Sequence, residues 1–418
     1  MKGSYMKNTP TFKPCSGRKW TLEIRTGEQC KTIRLTPPAV QTVTNEVYES
    51  MEPFNEKSAP WRRTRLKKLI AQECASAGLL VPGSAVVRNE KGKIFQEGED
   101  YLIQENFNTF MKAEKSSIKE GETLLISYQF VPLRLDSIVR KADGSLEQRC
   151  GTPHVTTPAQ PALKRGERRL ANIFFSGAAC QKLTDEMIFP VVKRSLPKTK
   201  PQADLLPQTV KKLKSGKKLR ILVWGDSVTE CAYLPEKDKY QLQFLEMLKK
   251  KYPGSSIEMR TFGWGGRDTA CFFAEPPGSP YNYAEQLLAW KPDLVISEFV
   301  NDGWLNEATV YERYGKVRDD LKKIGAEWII LSPHYIKPDW MGLASCKNCT
   351  EDPRKYVQAI RKFCKESGIA LAEGSEKYSN LWLTGIPHMT FMVNAINHPN
   401  RKGLKFFADA LMEALREK

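Results

Sequence analysis

At 418 residues the chain is too long for one typical hydrophobic core, so two domains are expected. Hydrophobic residues at 41% and aromatics at 10% suffice for packed globular domains and argue against disorder. The net charge of +17 would suit nucleic acid, but its distribution argues otherwise: ten Lys or Arg against one Asp lie between Val191 and Arg220. That Pro- and Lys-rich run reads as a solvated connector. With no zinc-finger or RNP-like spacing, no nucleic-acid partner is expected.

No apolar run approaches the roughly 20 residues that span a bilayer, so no membrane partner is expected. The opening residues MKGSYMKNTPTFKPC carry lysines but no apolar stretch of the kind a secretory signal needs, which favours a cytoplasmic location. The ten cysteines are scattered, and Cys346-Lys-Asn-Cys349 is the one CxxC. Without a second CxxC or a neighbouring histidine it reads as incidental thiols, and no metal site is expected.

Taken in order, residues 1 to about 15 are polar and expected to be loose. From Lys19 to Ser50 the pattern is β-rich, interrupted by Pro37 and Pro38. Residues 61–80 include RTRLKKLIAQECASAGLL, whose apolar positions Leu66, Leu69, Ile70, Cys74 and Ala77 suggest a helix. Short strands follow at SAVVR, KIFQ, YLIQ and LLISYQFV, separated by turns rich in Gly, Asn and Asp. Such spacing suggests a β-sandwich. The stretch 134–175, with GTPHVTTPAQP, is expected to wrap the surface, with His154 as a structural histidine.

Beyond about Leu206 the rhythm changes. Strand patterns at 219–224, 256–262, 293–299, 327–332 and 369–373 alternate with helical ones at 240–252, 283–290, 306–324, 353–367 and 400–416. This βαβ series predicts a parallel sheet with helices on both faces. The boundary is placed near residue 200, giving a β-rich accessory domain over 1–200 and an α/β domain over 201–418.

In a parallel sheet all carboxyl ends share one edge, where ligands bind. The segments that follow the strands there are Gly225-Asp226-Ser227, then Gly263-Trp264-Gly265-Gly266, then Asn301-Asp302, then Pro333-His334, and finally Asn397-His398-Pro399. A serine hydroxyl needs a base, which His398 can supply. A developing oxyanion needs donors, which a glycine-rich turn and Asn301 can supply. Each residue alone also has an ordinary explanation as a turn or a helix cap.

These blocks, GDSV at 225–228, GWGG at 263–266, FVND at 299–302 and NHP at 397–399, resemble the SGNH (GDSL-like) hydrolases over about residues 215–418. The resemblance implies a flavodoxin-like three-layer fold. It also implies Ser227 as nucleophile, His398 as base, and an oxyanion hole from the Ser227 and Gly266 amides with the Asn301 side chain. Two positions depart from the pattern: Phe299 replaces a usual Gly, and Ala395 stands where an Asp usually precedes the His by three. Asn394, a backbone carbonyl, or a carboxylate from elsewhere such as Asp339 or Asp302 is the candidate to orient His398 instead.

His334, Trp264 and Trp340 are candidate substrate-binding residues, the tryptophans suiting a sugar ring. The expected activity is hydrolysis of small acyl esters, acetyl on carbohydrate foremost. The alternatives are a lipase or thioesterase of the same superfamily, or a carbohydrate- or partner-binding protein with a decayed site. Serine acyl transfer needs no cofactor, so none is expected.

Overall fold

The strand Leu219–Gly225 (β1) is buried at six of its seven positions, as its continuous apolar run dictates for a sheet covered on both faces. The structure, a computed structural model, describes residues 9–72, 74–75 and 78–417. β1 pairs in parallel with Ile257–Gly263 (β2) on one side and Leu294–Glu298 (β3) on the other. Glu327–Leu331 (β4) and Ala370–Ala372 (β5) extend the sheet, also in parallel, giving the order β2-β1-β3-β4-β5. This is the flavodoxin-like order, and its direction of growth reverses at β1. The edge between the ends of β1 and β3 is therefore where a crevice opens.

Helices cover both faces. Glu307–Ile324 (α1) and Lys355–Ser367 (α2) bury Val310, Tyr314, Val317, Val357, Ile360 and Phe363 against Leu222, Trp224, Val295 and Ile330. Tyr240–Lys251 (α3) and Arg401–Ala414 (α4) cover the other face, with Tyr240 and Phe407 meeting edge to face at 5.5 Å. α1 begins at a capping box built by Asn306 and Thr309 and ends at Gly325 in the left-handed conformation. The span 283–290 differs from the expected helix: it closes as a π turn over Ala284–Leu288, with the Ala289 N–H bonded to the Ala284 carbonyl.

The basic connector is only partly a linker. Leu206, Val210 and Leu213 give Pro207–Ser215 an apolar face, and it forms a helix whose first amides donate to the Glu327 carboxylate. Upstream, the Gln202 side chain bonds both the N–H and the carbonyl of Leu371 on edge strand β5. An amide side chain thereby imitates a neighbouring strand and closes an edge open to pairing.

The chain divides into two compact units. One holds residues up to Arg194 with Ser345–Lys347 and Trp382–Ile396, and the other holds the rest, including the parallel sheet and its helices. The first unit is antiparallel β and has two sheet-on-sheet cores. Thr11–Pro14, Thr21–Thr26 and Gln29–Arg34 share one core with Arg134–Arg140, Leu146–Arg149, Arg168–Phe175 and Ile188–Pro190, around Phe12, Leu22, Ile24, Ile138, Ile173 and Phe175. Gln41–Tyr48, Leu124–Phe130, Val86–Asn89 and Ile94–Phe95 share the other with Tyr101–Gln104, Thr109–Lys112 and Thr64–Arg65.

Three expectations in this unit need correction. Residues 11–14, expected to be loose, pair with 22–25, while residues 1–8 lie outside those described. The helix expected over 61–80 does not form. Its described part is 3-10 turns at Pro60–Arg62 and Lys67–Leu69 with strand pieces between, because the Glu46 carboxylate and Tyr48 hydroxyl take the Lys67 and Lys68 amides. Leu66 and Leu69 are buried in the β core instead; Ala77 and the Cys74 side chain lie outside the described residues. The stretch 134–175 contributes three strands, at 134–140, 146–149 and 168–175, with LDSIV and LANIF lying in the sheet; a turn joins the first two, and irregular backbone fills the Pro-rich part before the third. There His154 Nδ1 accepts from the Thr156 and Thr157 amides, a local structural role.

Candidate active site

The turn after β1 is built around Asp226. Gly225 must be glycine, since a Cβ there would lie 2.2 Å from both the Glu298 carbonyl and Thr229 Oγ1. Asp226 is fully buried, and its carboxylate accepts from the Val228 amide at 3.0 Å and the Asn301 amide at 2.9 Å. It thus caps the short helix Ser227–Glu230 and ties the β1 turn to the β3 turn. Burial pushes the Asp226 carboxyl upward, and these two N–H bonds oppose that.

His398 reaches this turn from the start of α4, which Asn400 caps through the Gly403 amide. Its Nε2 lies 3.0 Å from Ser227 Oγ, hydrogen-bond distance for a base and a nucleophile. The Tyr233 ring stacks on the imidazole with centroids 4.3 Å apart and planes 1° from parallel. Ser227 keeps partial exposure, while His398 is buried.

The glycine turn after β2 runs beside the serine. The Trp264 amide donates to the Gly225 carbonyl, and a Cβ on Gly265 would stand 3.8 Å from the Ser227 Cβ. Gly266 is exposed and left-handed at φ +72°, with open space around its Cβ position. Asn301 Nδ2 donates to the Arg267 carbonyl at 3.2 Å, linking the β2 and β3 turns. Ser227, His398, Asn301 and the Gly265-Gly266 turn therefore meet at one edge of one unit.

Two of the three side-chain candidates to orient His398 are engaged elsewhere. Asp302 is buried and accepts from the Thr269 amide and hydroxyl and from the Tyr314 hydroxyl. Asp339 is 60% exposed at its side chain and pairs with Lys337. Asn394 is buried in the other unit, where its Oδ1 accepts from the Ile396 amide.

His334 cannot touch substrate, because it has no exposed surface. It lies instead between the Tyr378 and Phe407 rings, and its Nε2 is 2.7 Å from the Asn397 carbonyl, one residue before His398. Arg354 Nη2 in turn donates to the His334 and Pro333 carbonyls. Trp264 stacks on Tyr281 at 4.2 Å with the Arg267 guanidinium over its face, and Trp340 is 44% exposed. Trp304, three residues after Asn301, is the most exposed large apolar side chain among the described residues, with Arg313 over its ring.

Tyr233, Glu298 and the bridging role of Asp226 were not singled out from sequence. The Asp of a Gly-Asp-Ser turn and the acid closing β3 were the available signals, whereas Tyr233 sits in an ordinary loop. Among the described residues no helix is long and apolar enough to cross a membrane.

No family model matches the chain, and no curated protein is similar to it. Solved structures are. A two-domain esterase (CEX) active on acetylated mannans shares 20% identity over 52% of this chain and 53% of its own, at a TM-score of 0.41. The match thus spans about half that esterase's length. An acetyl xylan esterase, AlAXEase, shares 19% over 47% of this chain and 99% of its own, at 0.37. A member of the lipolytic G-D-S-L family from Veillonella parvula shares 15% over 47% and 97%, at 0.35. By name two of these neighbours are esterases and the third is a lipolytic protein of the G-D-S-L family, and the likeness lies over about half of the chain. The chemistry of this site rests on its own geometry.

Proposed function

We propose that this protein is a serine esterase that transfers a small acyl group from an ester to water through an acyl-enzyme on Ser227. The 3.0 Å contact between His398 Nε2 and Ser227 Oγ carries this reading. As Oγ attacks the ester carbonyl, Nε2 takes its proton. The carbonyl oxygen becomes an oxyanion, met by the Ser227 and Gly266 amides and Asn301 Nδ2. Collapse expels the alkoxide, which leaves with the proton from His398. Water then repeats the sequence on the acyl-enzyme and restores Ser227. The Asp226 bridge holds the β1 and β3 turns at fixed spacing, so the donors are organised before charge develops.

The acyl group is acetyl and the acceptor a carbohydrate in this proposal. The support is the resemblance of the four blocks together with the exposed side chains of Trp304 and Trp340, aromatic groups suited to a sugar ring. A second reading, a binding protein with a decayed site, draws on Ala395 at the position of the usual acid. Turnover separates them. Hydrolysis of 4-nitrophenyl acetate, faster than of longer acyl esters and abolished by Ser227→Ala, is expected; no turnover by the native protein would support the binding reading.

A further inference from the structure

Four connections at the carboxyl edge of the sheet almost close a ring through the Ser227–His398 pair. Ser227 follows Gly225, which pairs with Glu298 across β1 and β3. Ser227 Oγ meets His398, the Asn397 carbonyl meets His334 Nε2, and the His334 carbonyl meets Arg354 Nη2 at 2.8 Å. The ring lacks one link, from Arg354 back to Glu298.

Both sides of that gap carry buried polar atoms with no hydrogen-bond partner among the described residues. Glu298 is 1% exposed, and neither of its carboxyl oxygens is bonded. Arg354 spends Nε and Nη2 on Asp352 and the two carbonyls, while Nη1 is unbonded. The Tyr378 hydroxyl, whose ring packs 5.7 Å from that of His334, is also unbonded. Glu298 acts electrostatically on both Arg354 and Tyr378 without forming a direct ion pair, and burial pushes its own carboxyl well up. A buried carboxyl, guanidinium nitrogen and phenol left unbonded are each costly, and an internal water bonded to two or more of them would offset that cost.

We propose that an ordered water links the Glu298 carboxyl to Arg354 Nη1 and the Tyr378 hydroxyl, and that Glu298 is thereby a positioning residue for the Ser227–His398 pair. The water completes the ring, so the segments carrying His334 and Asn397 are braced against β3, the strand beside the nucleophile turn. Glu298 touches no substrate; it acts through Arg354, His334 and the Asn397 carbonyl. This role rests on the acyl-transfer reading of the site, whereas the water site itself does not.

A crystal structure of the full chain at about 1.5 Å, together with Glu298→Gln and Glu298→Leu, tests this. The structure is expected to show a water within hydrogen-bond distance of Glu298 and of Arg354 Nη1 or Tyr378. A dry gap, a direct carboxylate–guanidinium pair or an ion there would overturn the proposal. Glu298→Gln, which can still bond the water, should keep kcat within about twofold. Glu298→Leu should lower kcat about tenfold with KM within about twofold when kcat is taken per folded molecule, counted by fluorophosphonate titration, so that loss of folded protein does not mimic the effect. Native kcat in Glu298→Leu would overturn the positioning role. If that variant does not fold, the crystal structure decides. A hydrated gap in a protein whose Ser227→Ala variant still turns over would instead defeat the acyl-transfer reading alone.

Discussion

The phenol ring of Tyr233 lies flat on the imidazole of His398, with centroids 4.3 Å apart and planes within 1°. This stack fixes the plane of the imidazole while the Ser227 hydroxyl fixes its direction. Such a pair contributes about 0.5–1.5 kcal/mol beyond its buried area. Tyr233→Leu should therefore lower kcat about tenfold with little change in KM. Tyr233→Phe, which keeps the face, should retain native turnover. Steady-state kinetics on an acetyl ester check both.

Asp226 holds two turns with one carboxyl group, and leaving a buried N–H without its acceptor costs about 1–3 kcal/mol. Asp226→Ala leaves the Val228 and Asn301 amides without their acceptor. It should lose about 3 kcal/mol in denaturant unfolding and about a hundredfold in kcat. Asp226→Asn keeps one acceptor oxygen and should fall between. Native kcat in Asp226→Ala would mean that the two turns hold their spacing without the bridge.

His334 is a buried clamp on the Asn397 carbonyl. A clamp and a substrate ligand differ in kinetic signature. His334→Ala should lower kcat about tenfold with KM within about twofold, and lower the melting temperature. A raised KM at native kcat would return His334 to substrate binding.

Asp302 gives a pH test. Burial lifts its carboxyl from 3.8 to about 6, against the pull of its bonds from Thr269 and Tyr314. Between those values the folded state holds a proton that the unfolded chain has released. Stability from this group is therefore whole below about pH 4 and falls by about 3 kcal/mol as pH rises through 6. Asp302→Asn removes the titration, so its unfolding free energy relative to the native protein should improve by about that amount between pH 4 and 7. Chemical unfolding at several pH values checks this. A difference that stays constant with pH would contradict it.

The parallel sheet was legible because its inner strands β1, β3 and β4 are buried on both faces and read as apolar runs, with Ser227 and Asn301 just after β1 and β3 and His398 just before α4. The accessory unit was harder. RTRLKKLIAQECASAGLL has helical spacing, yet Glu46 and Tyr48, some twenty residues upstream, take its amides, a partner that local periodicity cannot register. The strand 168–175 was masked by the prolines before it. His334 and the tryptophans share the active edge in sequence, but only packing separates a buried clamp from an exposed ring. Glu298 looked like one more strand residue until its burial was visible.

The central claim is that Ser227 is a nucleophile activated by His398. The most direct measurement is covalent labelling by a fluorophosphonate, with the modified residue located by mass spectrometry. One label per chain on Ser227 is predicted, with Ser227→Ala unlabelled and His398→Ala labelled about a hundredfold more slowly. A native protein that takes no label, or labels at another residue at the same rate, would contradict it.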